Sequence, residues 1–129
     1  MKKIIFLLLV LLSSCNKTLE NDLQKDNLKG KVKSSQEVHC NGIEKFGEVI
    51  KGSLIWKSKS VYDDKGNKIE EQYYSSEDRS LDYRNKYVYN DKGNKIEEQY
   101  YDSNESLLYK IKNVYDNKNN LVGWQRYNS

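Results

Sequence analysis

Val61-Tyr62-Asp63-Asp64-Lys65-Gly66-Asn67 runs directly into Lys68-Ile69-Glu70-Glu71-Gln72-Tyr73-Tyr74, and this stretch decides the fold. It returns as residues 88–101, with the second half unchanged, and in weaker form as residues 114–127. The unit therefore occurs three times, at intervals of 27 and then 26 residues. Self-similarity at a nearly fixed period is typical of repeat proteins, and identity at this level indicates duplication.

Each unit is predicted to be a β-hairpin, because a turn signal separates two strand-like segments. In the first unit, Asp63 stands where a type I turn begins and Gly66 stands where the chain needs a positive φ. Together they specify a three-residue hairpin loop with a bulge. Asn119 takes the glycine position in the third unit, and asparagine is the next best residue for that geometry.

The turn also predicts how the two strands of the first unit pair. With Asp63 opposite Asn67, regular alternation fixes every further pair. The predicted pairs are Val61 with Ile69, Lys59 with Glu71 and Lys57 with Tyr73 on one face, and Tyr62 with Lys68, Ser60 with Glu70 and Trp56 with Tyr74 on the other. The alternating charges are therefore interpreted as a solvated sheet face, because cross-strand pairs stabilise a sheet.

The remaining mature chain completes an all-β domain over residues 28–129. Residues 28–39 are predicted to be a first strand, and residues 43–50 its partner or a looser connector. The repeats span about 53–79, 80–105 and 106–129. We predict an antiparallel meander of seven or eight strands in a single sheet. Periodicity leaves two forms open, an open sheet and a partly curled one, because both faces mix aromatic and charged residues.

The N-terminal residues are predicted to be a targeting signal. A cationic start and a nine-residue apolar run precede Cys15, which is typical of a secretory signal over residues 1–14. The run is too short to span a bilayer permanently. Ser13-Ser14-Cys15 resembles the lipobox of bacterial lipoproteins, which implies cleavage before Cys15 and a lipid on its thiol. The alternative is an ordinary secretion signal that contains a cysteine.

The predicted consequence is a protein of the bacterial cell envelope, anchored to a membrane by lipid, with the outer membrane favoured over the inner one. Residues 15–27 are polar and are predicted to be a flexible tether between lipid and domain. The only cysteine beyond Cys15 is Cys40, so no internal disulfide is expected.

Composition excludes some partners and limits the core. The formal charge is +3, and removal of Lys2 and Lys3 with the signal leaves the mature domain near +1. A nucleic-acid partner is therefore not expected. Charged residues make up 32% of the chain, but eleven tyrosines and two tryptophans supply the large amphipathic side chains that a thin, modest core needs.

Catalytic patterns are weak. His39 is the only histidine, and its neighbour Cys40 is expected on the opposite face of a strand, so the two are poorly placed as a base and a nucleophile. The adjacent glutamates at 70–71 and 97–98 diverge on a strand and are explained as repeat units. We therefore predict a protein that is not an enzyme and has no cofactor or metal.

Exposed aromatic residues are the candidate site. Trp56, Tyr83, Tyr109 and Trp124 fall at equivalent or neighbouring places in successive hairpins and are possible contacts for a glycan or a protein partner. The alternative is that these rings form the core of a thin sheet. A second functional hypothesis is a structural or immunity-type lipoprotein that neutralises a toxin.

The turn motif resembles a known repeat. Tyr62-Asp63-Asp64-Lys65-Gly66-Asn67 and its copy at residues 89–94 are similar to the YD repeat of Rhs-type bacterial surface proteins. With the Leu-Lys-Gly-x-Val-Lys-Ser opening at residues 28–34, the chain also resembles the small YD-repeat lipoproteins of Bacteroidetes-type bacteria. The similarity covers roughly residues 28–127. In Rhs proteins such repeats wind into a β-shell around a toxin, and the resemblance implies β-hairpins and carbohydrate binding.

Overall fold

A computed structural model of the chain describes residues 20–129. The predicted signal peptide and the lipidation site at Cys15 lie outside the described residues. Seven strands form one antiparallel sheet in sequence order, which is not closed. The elements are a short helix, α1 (Asp22–Lys25), and the strands β1 (Ser34–Lys45), β2 (Glu48–Tyr62), β3 (Lys68–Tyr74), β4 (Leu81–Tyr89), β5 (Lys95–Tyr101), β6 (Leu107–Tyr115) and β7 (Leu121–Asn128). The predicted all-β meander is confirmed, as an open sheet.

The three repeat turns form as the sequence predicts. The Asp63 backbone N–H donates to the Asn67 carbonyl at 2.9 Å, and Gly66 adopts a φ of 83°. The Asp63 carboxylate accepts from the backbone N–H groups of Lys65 and Asn67. Burial alone would raise the pKa of Asp63, but these hydrogen bonds outweigh it and lower the pKa below its usual value.

The predicted register is wrong beyond the turn. Val61 lies opposite Glu70, and Ser60 lies opposite Glu71, because a bulge on β3 leaves Ile69 without a partner. The second and third hairpins skip Ile96 and Val122 at the same place. A bulge inserts one residue that the hydrogen-bond ladder omits, so every later side chain on that strand changes face.

The N-terminal part of the structure differs from the prediction in three places. Residues 28–33 precede β1, and residues 43–50 span the β1–β2 turn, where Phe46 and Gly47 both have positive φ. Residues 21–27 are not part of a flexible tether, because α1 docks on the hairpin of the first repeat, formed by β2 and β3. The Leu23 backbone N–H donates to the Gly66 carbonyl in its turn at 3.0 Å. A capping box of Asn21 and Gln24 fixes the start of α1.

The core is small. Among residues 20–129, Leu23 and Tyr62 are the only apolar or aromatic side chains classed as buried, at 8% and 3% exposure. Tyr62 lies under α1, where its hydroxyl donates to Asp26 at 2.7 Å. Packing of α1 on the first hairpin therefore supplies the core, and cross-strand pairs stabilise the rest of the sheet.

Candidate functional site

The observed register assigns side chains to the two faces of the sheet, because residues directly opposite in antiparallel strands share a face. We call one side the stacked face. It carries the aromatic residues of an aromatic row that crosses six strands: His39, Trp56, Tyr73, Tyr83, Tyr100 and Tyr109. The opposite side, which carries the Glu-Gln-Tyr alternation of β3 and β5, is called the ladder face.

The aromatic row consists of three stacked ring pairs. The ring centroids lie 4.4 Å apart in Tyr73–Tyr83 and 4.3 Å apart in Tyr100–Tyr109, with interplanar angles of 18° and 21°. His39 and Trp56 stack at 5.1 Å. Each stack covers one face of each ring and adds about 0.5–1.5 kcal/mol beyond area burial. The row is thus both part of the fold and a surface of half-exposed rings.

The structure brings together three of the four predicted aromatics. Trp56, Tyr83 and Tyr109 occupy equivalent positions in the aromatic row. Trp124 lies on the same face but opposite Asn113, which is four residues along β6 from Tyr109 and so about 13 Å away at 3.3 Å per residue. Tyr109 is also covered by a cation, since the Arg126 guanidinium lies 3.8 Å from its ring centroid.

Burial and neighbouring carboxylates raise the pKa of two hydroxyls in the aromatic row, those of Tyr73 and Tyr100. Burial and the adjacent Glu71 raise the pKa of Tyr73 to about 12. Burial and Glu98 likewise raise the pKa of Tyr100 to about 12, and the Tyr100 hydroxyl donates to Glu98 at 3.1 Å. Both phenols therefore stay protonated, as hydrogen-bond donors, to a higher pH than an ordinary tyrosine, whose pKa is about 10.

A shallow polar depression adjoins the aromatic row. It has a volume of about 290 Å³ and lies where β2 carries two small residues, Ser58 and Ser60. Ser58 is flanked by Glu37 on β1 and Tyr73 on β3. The depression is lined by hydroxyl, carboxylate and ammonium groups, from Asp26, Ser35, Glu37, Ser58, Ser60, Tyr62, Lys68 and Glu71. Its chemistry suits a ligand with many hydroxyl groups.

Helix α1 holds the far wall of the depression. Lys68 Nζ lies 3.3 Å from Asp26 and 3.1 Å from Glu71. Burial alone would lower the pKa of Lys68, but these carboxylates outweigh it and raise the pKa. Burial would raise the pKa of Asp22, yet hydrogen bonds led by the one from Tyr89 lower it below its usual value. Both groups are thus charged near neutral pH, and the wall is a set of paired charges.

The paired glutamates have separate structural tasks. Glu70 accepts from Gln72 at 2.7 Å on the ladder face, whereas Glu71 accepts from Lys68 and Tyr87 on the stacked face. Among residues 20–129, no three His, Cys, Asp or Glu side chains are grouped as a metal site requires. His39 and Cys40 lie on opposite faces of β1, because Cys40 lines a different depression together with Val38.

The ladder face is occupied by its own side chains. Along β3, the Tyr74 hydroxyl donates to Gln72 at 2.6 Å, and Gln72 donates to Glu70. The same chain recurs on β5, and β7 retains its Tyr–Gln part. Cations of adjacent strands lie over these tyrosine rings: Lys57 over Tyr74, Arg84 and Lys86 over Tyr101, and Lys110 and Lys112 over Tyr127. The ring faces and polar groups there have partners within the sheet.

No family model, curated protein or solved structure matches this chain. The resemblance to YD repeats and the location in the cell envelope therefore stay predictions. Within residues 20–129, the structure contains no helix of the length and apolarity needed to cross a membrane.

The sequence-based prediction missed the depression and identified three of the six residues in the aromatic row beside it. The signal was present in the repeats, since Ser60 stands where the second and third units carry Tyr87 and Asn113. A small residue at a position that is otherwise bulky leaves a space beside its neighbours. The space belongs to the stacked face only because of the bulge at Ile69, which places Glu71 opposite Ser60.

Proposed function

We propose that this chain is a non-catalytic binding protein of the bacterial envelope, held to a membrane by a lipid on Cys15, and that its stacked face binds a glycan. The observation that carries the proposal is the polar depression at Ser58 and Ser60, directly beside Trp56 and Tyr73 of the aromatic row. Aromatic surface next to a few convergent polar groups is typical of ligand sites.

A glycan fits this combination on chemical grounds. A sugar ring presents hydroxyl groups at its edge and C–H groups on its faces, so it needs hydrogen-bonding side chains beside an apolar ring. Ser58, Ser60 and Glu37 supply the first, and the half-buried Trp56 supplies the second. The depression is lined by three carboxylates, from Asp26, Glu37 and Glu71, and one ammonium, from Lys68, so its formal charge is −2 and it suits a neutral glycan better than an anionic one.

We assign the ligand to the stacked face, and propose binding without catalysis, because many side chains elsewhere on the sheet already have partners within the protein. On the ladder face the tyrosine hydroxyls donate to glutamines and the rings carry cations. Two carboxylates of the stacked face are paired as well: Glu71 lies 3.1 Å from Lys68 Nζ, and Glu98 lies 3.7 Å from Lys95 Nζ.

Filling the depression should abolish glycan binding without unfolding the sheet. Ser60→Tyr installs the residue that the second repeat carries at the equivalent position, so the sheet accommodates it there already. The purified protein is screened on an array of bacterial and host glycans, and the best ligand is titrated. We expect Ser60→Tyr to weaken its binding at least tenfold, or about 1.4 kcal/mol.

Asn113→Tyr is the matched control, because it makes the same kind of change at the equivalent position of the third repeat, away from the depression. It should leave the affinity unchanged. Equal losses in both variants, or a loss in neither, would contradict the proposed site. If no glycan binds, but another protein binds the wild type and not Ser60→Tyr, the ligand of this site is a protein and not a glycan.

The anchor is tested separately by the mass and membrane partition of the full chain expressed in a bacterium. The wild type should be cut before Cys15, gain acyl mass and enter the membrane fraction. Cys15→Ala should do none of these. Equal partition of both chains without acyl mass would refute the lipid anchor and leave the glycan site untouched.

A further inference from the structure

The outer edge of β7 is unusually apolar for an edge strand. Within the described part of the chain, β7 pairs with β6 on one side and with no strand on the other. Its exposed side chains include Leu121 at 56%, Val122 at 61% and Trp124 at 63%. Edge strands present unpaired backbone groups to other chains and are normally protected by charges or prolines. β7 carries only one charge, on Arg126.

Comparison with the other repeats shows that β7 carries fewer charged residues than its copies inside the sheet, although protection of an exposed edge would require more. The inner copies, β3 and β5, read Lys-Ile-Glu-Glu-Gln-Tyr-Tyr and are paired on both sides. In β7, the lysine and both glutamates of this segment become Leu121, Gly123 and Trp124. A strand that is less charged at the edge than its copies are inside the sheet is suited to being covered.

The hydrogen-bond pattern defines what can cover it. The Ser129 backbone N–H donates to the Leu108 carbonyl, so that pair exchanges bonds between β7 and β6. Bonded pairs recur at every second residue of an antiparallel ladder, which turns the backbone groups of Gln125 and Tyr127 towards β6. Those of Trp124 and Arg126 face outwards and are free to pair with another strand.

We propose that two copies of this chain pair antiparallel through β7, with a two-fold axis at Gln125. In this register Trp124 lies opposite the partner's Arg126, and both lie on the stacked face. The outward backbone groups of the two strands then meet. The Arg126 guanidinium, one face of which lies against Tyr109 of its own chain, presents its other face to the partner's indole on each side of the axis. Gly123 lies opposite the partner's Tyr127, and a Cβ built at Gly123 has no atom within 4 Å, so space for that ring is available.

The neighbouring registers are less favourable. A shift by two residues in one direction places Arg126 opposite the partner's Arg126, and like charges directly opposite are destabilising. A shift in the other direction places Trp124 opposite the partner's Trp124 and removes the aromatic ring from across Arg126. A single strand edge is smaller than a standard interface, so the dimer is expected to be weak and to need trapping.

Disulfide trapping tests both the edge and the register. Gln125→Cys in a Cys40→Ser background puts two thiols at the axis, where a non-hydrogen-bonded pair has Cα atoms about 4.5 Å apart. The purified full chain is treated with a mild oxidant, and dimer is measured on a non-reducing gel. Most of the Gln125→Cys chain should cross-link. Gln36→Cys, on the edge strand β1, is the matched control and should give at least tenfold less dimer.

A second variant separates specific pairing from collision. Trp124→Lys places an ammonium opposite the partner's Arg126 in the proposed register. Like charges directly opposite are destabilising, so this variant should lower cross-linking through Gln125→Cys at least tenfold. Trp124 is 63% exposed, so the sheet itself tolerates the change. The Cys40→Ser chain without an added cysteine reports linkage through Cys15. Cross-linking of Gln125→Cys no greater than that background, or equal to that of Gln36→Cys, would overturn the proposal, as would no effect of Trp124→Lys.

Discussion

Replacing Tyr62 with alanine is expected to lower the free energy of unfolding by about 4 kcal/mol, a value typical of the truncation of large buried aromatic residues. Tyr62 is 3% exposed and lies between the sheet and α1. Its hydroxyl donates to Asp26 at 2.7 Å and lies 3.3 Å from the Ser35 hydroxyl. Alanine removes the ring and leaves both groups without that partner. The measurement is urea unfolding followed by circular dichroism.

Tyr62→Phe separates the ring from its hydroxyl. It keeps the packing and loses the hydrogen bonds, so it should cost only about 1 kcal/mol. A loss below 1 kcal/mol for Tyr62→Ala would mean that α1 does not form the core. Equal losses for the two variants would mean that the hydroxyl, and not the ring, stabilises the contact.

Gly66→Ala is expected to destabilise the fold by about 2–3 kcal/mol, for two physical reasons. Its φ of 83° is one that alanine adopts at a cost of about 1–2 kcal/mol. A Cβ would also lie 2.7 Å from Asn21 Nδ2 and 3.1 Å from Leu23 Cδ1. The helix must therefore shift away from the turn, which weakens the hydrogen bond from Asn21 to the Lys65 carbonyl.

Gly47→Ala is the control, because Gly47 has a φ of 81° and no atom within 4 Å of a built Cβ. It carries the backbone strain alone and should cost about 1–2 kcal/mol in the same urea experiment. The difference between the two variants measures the docking of α1. If both lose the same stability, α1 does not press on the first turn.

Turn chemistry made much of the fold predictable from sequence. Asp63 and Gly66 carry the geometry of the loop in their own preferences, and the repeats carry it to all three hairpins. Register was not predictable in the same way. Ile69 is an ordinary β-branched residue, and nothing in its type distinguishes a bulge position from a paired one. One skipped residue then moved Tyr73 and Glu71 to the other face.

Composition alone does not predict α1, whereas its capping residues indicate it. Residues 20–27 are polar, as a tether would be, but Asn21 and Gln24 form a capping box and Leu23 is the apolar residue that α1 buries. A four-residue helix has too few positions to show periodicity. Its stability comes from the Gly66 turn, which is distant in sequence.

The candidate site was predictable in part. Trp56, Tyr83 and Tyr109 were identifiable because the repeat places an aromatic residue at the same position of each hairpin. The depression beside Trp56 depends on which small residues face which strands, and that requires the true register. Trp124 is not one of these repeated aromatic positions, because it replaces a glutamate of the repeat and lies at the sheet edge.

The most direct test of the glycan site uses the emission of its two tryptophans. Trp124→Phe leaves Trp56, beside the depression, as the only tryptophan, and Trp56→Phe leaves only Trp124. The glycan selected on the array is added to each variant at saturating concentration. We predict a change in intensity or wavelength for the Trp124→Phe chain and none for the Trp56→Phe chain. A change confined to the Trp56→Phe chain would place the ligand at the β7 edge and contradict binding at the stacked-face depression.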